Sequence, residues 1–171
     1  FLRLSPDAKV LDCGCGGGSN IKRLLKSCPR GIVKGIDYSP VSVEKARKVN
    51  HAAIAEGRCS VLQGSVADMI FADASFDAVT AFETVYFWPA LPQCFREIYR
   101  VLKPGGTFLI CNESNGDTDK DEKWTEIIGG MVIYKSGELK AYLEQVGFHD
   151  VQIHKKKNWL CITARKRGDQ A

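Results

Sequence analysis

Apolar residues recur along the chain in two rhythms, short continuous runs and stripes spaced by three or four. The runs KVLDC (9–13), IVKGID (32–37), CSVLQG (59–64), FDAVTAF (76–82) and TFLICN (107–112) are too short for buried helices and are bounded by turn formers, so they predict strands. Between them, Ile21, Leu24, Leu25 and Cys28 keep helical spacing up to a stop at PRG. Val43, Ala46, Val49 and Ala53 do the same in one helix with Ser39 as N-cap and Pro40 at its first position, running to Gly57. Leu91, Phe95, Ile98 and Leu102 stripe a further helix that stops at KPGG (103–106). The stretch joining the third and fourth strands has no such stripe and reads as a loop.

Towards the end of the chain, Trp124, Ile127, Ile128 and Met131 mark a short amphipathic helix, read as core packing or as part of a lid. Leu139, Tyr142, Leu143 and Val146 mark another, ending at Gly147. Two last strands, VQIH (151–154) and WLCITA (159–164), are separated only by KKKN. A parallel crossover needs a dozen residues or more, so this pair is antiparallel. Strand and helix otherwise alternate throughout, which predicts a mostly parallel sheet covered on both faces. Residues 1–171 read as one domain. The chain opens on Phe1, almost directly on the first strand, which leaves open whether a cap segment precedes it.

Composition changes this picture little: 44% hydrophobic and 26% charged residues describe an ordinary globular protein. No apolar segment approaches the roughly 20 residues of a membrane span, and no signal-peptide core opens the chain. A soluble, cytoplasmic protein is expected. The net charge of +4 is gathered late, in HKKK (154–157) and RKRGDQ (165–170), as a solvated face and not a nucleic-acid stripe. Seven scattered cysteines, mostly inside apolar runs, read as reduced thiols. Cys13 and Cys15 have no second ligand pair at zinc spacing, so no metal is expected.

The candidate chemistry lies in VLDCGCGGGSN (10–20). A dinucleotide fingerprint requires G-x-G-x-x-G, but Ser19 stands at the third glycine. The pattern present is Asp12, Gly14, Gly16, Gly18. An acid at the strand end opposes a pyrophosphate and suits a ligand carrying an ammonium group. Asp37 ends the second strand, where a carboxylate can accept both hydroxyls of a ribose.

With GIDYSP, GSVADMIFADASFDAVTAFETVYFWP, VLKPGG and LKAYLEQVGF in this order, the chain resembles the class I S-adenosylmethionine-dependent methyltransferases, in the small-molecule branch similar to quinone-biosynthesis methyltransferases. The resemblance implies an α/β, Rossmann-like, doubly wound seven-stranded sheet of order 3-2-1-4-5-7-6 with strand 7 antiparallel. It implies S-adenosylmethionine as cofactor, held by Asp12, Gly14, Cys15, Gly16, Asp37, Tyr38, Ser65, Val66 and Phe82. Gly14 and Gly16 would let bare backbone approach the ligand, and Asp12 would orient that loop or attract the methionine ammonium. Asp37 would take the ribose hydroxyls, Tyr38 would lie against the adenine, and Val66 would offer its N–H. Ser65 stands where family members commonly carry an acid, so Asp68 is a substitute candidate.

Methyl transfer from a sulfonium mainly requires alignment and exclusion of water. Glu83, Tyr86, Trp88 and Glu113 are the substrate candidates, with Asn115 near them. The acceptor implied is a small molecule, because FETVYFWP (82–89) lacks the motif of amino-directed nucleic-acid enzymes. His51, His149 and His154 fall away from the candidate site and read as surface residues, so no catalytic base is named. Cys111 reads as a buried, inert thiol. An NAD(P)-dependent oxidoreductase and a non-catalytic binder of the same cofactor are the alternatives.

Overall fold

The computed structural model of the chain describes residues 2–116 and 119–168, the side chains of 119–122 apart. Seven strands form one sheet in the order β3-β2-β1-β4-β5-β7-β6. They are β1 (Lys9–Cys13), β2 (Ile32–Asp37), β3 (Cys59–Gln63), β4 (Phe76–Phe82), β5 (Leu102–Asn112), β6 (His149–Lys156) and β7 (Trp159–Arg165). The pairs among β1 to β5 are parallel, with Asp12 opposite Gly35 on one side and Thr80 on the other. β7 runs antiparallel to both β5 and β6. The order and the antiparallel strand are those expected.

Helices cover both faces. On one, α4 (Leu91–Val101) and α6 (Ser136–Val146) bury Phe95, Ile98, Leu139 and Leu143 against Phe108, Ile110, Leu160 and Ile162. On the other, α1 (Ser19–Ser27) and α2 (Pro40–Val49) bury Ile21, Leu25, Val43 and Ala46 against Val10, Val33 and Val61. The chain runs outward in opposite directions from β1 and β4, and a crevice opens at that switch point above the carboxyl ends of the strands.

Several boundaries differ from those expected, each for a physical reason. The helix read from Pro40 to Gly57 is two, α2 and a short α3 (His51–Ala55), broken at Asn50. The buried Asn50 amide donates to the Gly18 carbonyl (3.0 Å) and to the Ala46 carbonyl (2.9 Å), tying α2 to the start of α1. β5 takes in KPGG, because Gly105 and Gly106 exchange backbone hydrogen bonds with Lys166, each 3.0 Å. β6 and β7 extend until only Lys157 and Asn158 remain between them, with Lys157 at φ 57°. The loop between β3 and β4 has no helix and is held instead by Arg100, which donates to the carbonyls of Phe71 (2.7 Å) and Met69 (2.9 Å).

The stripe from Trp124 to Met131 is not core. α5 (Asp119–Ile127) ends before Ile128, and Trp124, Ile127 and Ile128 are exposed. The segment after it is attached near the crevice, where the Val132 N–H donates to the Tyr86 carbonyl (2.9 Å).

Candidate functional site

The crevice encloses about 760 Å³ and is walled by residues following β1, β2, β3 and β4. Its floor is the loop between β1 and α1. Gly14 and Cys15 donate their N–H groups to the Ile36 carbonyl at 2.8 and 3.1 Å, which pulls the loop over β2. The Gly16 N–H then donates to Asp37 Oδ2 at 2.8 Å, and the Ser39 N–H donates to Asp37 Oδ1 at 2.9 Å. One carboxylate thus joins the glycine loop to the start of α2. A carboxylate offers about four acceptor sites, so each oxygen keeps one for a further donor.

The two glycines serve different ends. A Cβ on Gly14 would fall 1.8 Å from Thr84 Oγ1, so its bareness accommodates the loop after β4. A Cβ on Gly16 would meet nothing within 4 Å and would project into open space, so its bareness leaves backbone open to the crevice it lines. Both sit at positive φ, 67° and 51°, where side chains are disfavoured.

Asp12 lies behind this floor and not on it. It is 1% exposed, outside the crevice lining, and accepts a 2.7 Å hydrogen bond from the Thr80 hydroxyl. Burial, reinforced by the Asp37 charge, pushes its carboxyl up to about 7, with the Thr80 bond opposing. Its geometry suits orienting the loop, not touching a ligand.

Cys15, Tyr38, Ser65, Val66 and Phe82 all line the crevice with Gly14, Gly16 and Asp37. Tyr38 is 75% exposed at the rim. The Ser65 hydroxyl accepts from the Ala67 N–H at 3.1 Å, which closes a tight turn. Asp68 pairs with Ser65 in that turn but is exposed and does not reach the crevice, so it does not replace the absent acid.

Of the substrate candidates, Glu83 and Trp88 line the crevice, whereas Tyr86 and Glu113 do not. Tyr86 is buried with its hydroxyl donating to the Ser114 carbonyl (3.2 Å) and accepting from the Ser114 N–H (2.9 Å). It pins β4's exit to β5's exit. Glu113 is exposed outside, and Asn115 is buried away from the crevice with its amide donating to the Lys157 carbonyl (3.4 Å). Glu83 adopts φ 55°, and burial raises its carboxyl above the ordinary range despite a hydrogen bond from the Glu113 backbone. Such strain at a strand end is common at functional sites.

The structure adds Ser19, Asn20, Ser42, Thr84, Phe87 and Pro89 to the lining. Phe87 and Pro89 belong to the FETVYFWP stretch already singled out, and its run of three aromatics, Tyr86 to Trp88, was the available signal. Thr84 lies in the same stretch, but nothing local marks its role: its place over Gly14 and the 3.2 Å bond it accepts from Trp88 Nε1 arise only on folding. His51 and His149 are exposed and His154 is half-buried, all away from the crevice. Cys111 is not the buried thiol expected. It is half-buried on the face away from α4, with its sulfur 2.8 Å from that of Cys161. Among the described residues no group of three or more His, Cys, Asp or Glu side chains could hold a metal ion.

The floor and far wall fit an adenosyl ligand: bare backbone at Gly16, paired free acceptor sites on Asp37, and a pocket edge at Ser65 and Val66. A family described as "Methyltransferase domain" matches residues 11–110. The chain is 38% identical over 136 residues to Sterol methyltransferase-like 2 of Botryococcus braunii, covering 77% of this chain and 34% of that protein. It is 32% identical over 164 residues to 24-methylenesterol C-methyltransferase 2 of Arabidopsis thaliana, covering 89% and 44% respectively. The chain therefore spans less than half the length of these relatives. In fold it resembles Phosphoethanolamine N-methyltransferase 2 of Haemonchus contortus, solved in complex with S-adenosyl-L-methionine, at TM-score 0.82 and 17% identity over 96% of this chain and 50% of that one. A family match across most of the chain and a sheet of the expected order lead to one assignment: the chain belongs to the methyltransferase-domain family, among the class I S-adenosylmethionine-dependent methyltransferases.

Proposed function

We propose that residues 1–171 act as a single S-adenosylmethionine-dependent methyltransferase domain that methylates a small apolar acceptor, at carbon, by in-line displacement. The observation that carries this reading is the Asp37 carboxylate. It fastens the Gly16 backbone at 2.8 Å, lines the crevice, and has an acceptor site left on each oxygen. S-adenosylmethionine, when bound, supplies a methyl group on a positively charged sulfur, already activated for transfer. Gly16, Asp37, Tyr38, Ser65 and Val66 would hold its adenosyl part, and Asp12 would fix the loop from behind.

The acceptor side is walled by Phe82, Phe87, Trp88 and Pro89. That surface favours an apolar molecule over a nucleic acid. The relatives' names, sterol and 24-methylenesterol methyltransferases, support an isoprenoid or sterol acceptor. A carbon that accepts a methyl cation must then lose a proton. The ionisable residues of the lining are Cys15, Asp37, Tyr38 and Glu83. Burial raises the Cys15 thiol far above neutrality and keeps it protonated, and Asp37 is committed to the loop. Glu83 is the group placed to face a developing positive charge and to take the proton. No helix among the described residues is long and apolar enough to cross a membrane, which supports a cytoplasmic domain meeting its acceptor from the aqueous side.

Calorimetric titration with S-adenosylhomocysteine and NADH, followed by transfer of tritiated methyl groups to a detergent-dispersed sterol or squalene, tests this. Binding of S-adenosylhomocysteine alone and label in the lipid extract are expected, with Glu83→Gln lowering turnover and leaving cofactor affinity within a few fold. Binding of NADH without S-adenosylhomocysteine overturns the assignment. Cofactor binding with no transfer to any acceptor favours a binding protein.

A further inference from the structure

Cys111 and Cys161 stand directly opposite each other in the antiparallel β5–β7 pair, and their sulfurs lie 2.8 Å apart. Directly opposed residues in such a pair have Cα atoms about 4.5 or 5.5 Å apart, and both spacings fall within the roughly 4.4–6.8 Å that a disulfide spans. The other five cysteines are buried, whereas these two are half-buried. Cys111 opens on a neighbouring cavity of about 420 Å³, lined by Arg23, Leu24 and Trp159 and sharing Phe82 and Glu83 with the crevice, which gives a small thiol reagent a way in.

We infer that Cys111 and Cys161 form a dithiol that a low-molecular-weight disulfide such as oxidised glutathione closes into a disulfide bond across β5 and β7. One cysteine thiolate attacks a sulfur of oxidised glutathione, forming a mixed disulfide and expelling one glutathione. The second thiolate attacks the protein sulfur of that mixed disulfide, forming the bond between the strands and expelling the other glutathione. The two protons lost by the cysteines end on the two glutathione thiols. Backbone movement is not required, since the ladder already holds the pair face to face. Burial beside the second thiol pushes Cys111 up to about 12, so exchange is slow at neutral pH and quickens as pH rises. The Cys111 carbonyl accepts from the Glu83 N–H at 3.0 Å, so the bond forms one residue step from the crevice wall.

The test incubates the whole chain with oxidised glutathione at pH 8.5, alkylates it after denaturation, and maps its peptides. The expected result is five alkylated cysteines of seven, a linked peptide joining Cys111 to Cys161, and a melting temperature raised by several degrees and restored by dithiothreitol. Seven alkylated cysteines, a persistent glutathione adduct, or a link between any other pair overturns the proposal. Cys161→Ser, a near-isosteric change at a half-buried position, is expected to form no intramolecular disulfide, and finding one there overturns it equally. None of these readouts depends on methyl transfer, so the dithiol stands or falls apart from the proposed activity.

Discussion

Replacing Asp37 by asparagine keeps the side-chain volume and removes the charge at the one group that joins the glycine loop, β2 and α2. In the native chain its two oxygens accept from Gly16 (2.8 Å) and Ser39 (2.9 Å). Hydrogen bonds to a charged group contribute about 1.5–3 kcal/mol each, against about 0.5–1.5 kcal/mol for neutral pairs. The asparagine oxygen can keep one of these donors at the neutral strength, while its amide meets the other donor head-on and leaves it unpaired. The summed loss is about 3 kcal/mol, and at roughly 2–4 °C per kcal/mol for a chain of this size the melting temperature falls by roughly 6–12 °C. Affinity for S-adenosylhomocysteine should fall by at least about tenfold, since its ribose hydroxyls lose a charged acceptor worth about 1.4 kcal/mol more than a neutral one. Thermal denaturation and calorimetry on Asp37→Asn, with Asp68→Asn at an exposed carboxylate as control, measure both. An unchanged melting temperature would refute the loop-fastening role. A lowered melting temperature with unchanged affinity would leave Asp37 as a structural brace and remove it from the cofactor site.

The buried Asp12 makes stability depend on pH. Its carboxyl is raised from 3.8 to about 7, so its contribution is fully present near pH 4 and is lost as pH rises through 7, by up to about 4 kcal/mol at the three-unit limit. Urea denaturation between pH 4 and 8 should show this decline in the native chain and a flatter profile in Asp12→Asn, which still accepts from Thr80; parallel profiles would refute the assignment. Gly14→Ala should cost more than Gly16→Ala, because both pay about 1–2 kcal/mol for a left-handed backbone but only the first drives a methyl group into Thr84. In a double-mutant cycle Thr84→Gly, which removes the Cβ at 2.6 Å as well as the Oγ1 at 1.8 Å, should recover the steric part of the Gly14→Ala loss, and equal losses in both backgrounds would exclude that contact.

Much of the site was legible because its signals are local. Gly14, Gly16 and Asp37 sit at strand ends, where a ligand crevice of this fold class must lie, and all three line it. Glu83 and Trp88 followed from their place after β4, and Phe82, its last residue, from likeness to the family; all three line the crevice. Tyr86 shares that neighbourhood and Glu113 follows β5, yet neither lines the crevice; backbone groups of Ser114, 28 residues away, claim the Tyr86 hydroxyl. The break in the long helix at Asn50 has the same kind of cause, a bond to Gly18 across 32 residues.

Hydrophobic periodicity alone determined that strands and helices alternate and which face of each is apolar, since that pattern is written within about ten residues. The four residues between the last two strands likewise required an antiparallel return. The strand order came from likeness to a family, because an apolar run carries no label for its neighbour. Tertiary structure decided the rest: that Asp12 is sealed behind the loop it orients, that Gly14 makes room for Thr84 while Gly16 faces open space, and that Cys111 meets Cys161. Each of these depends on a register between distant segments, which packing sets and local composition does not encode.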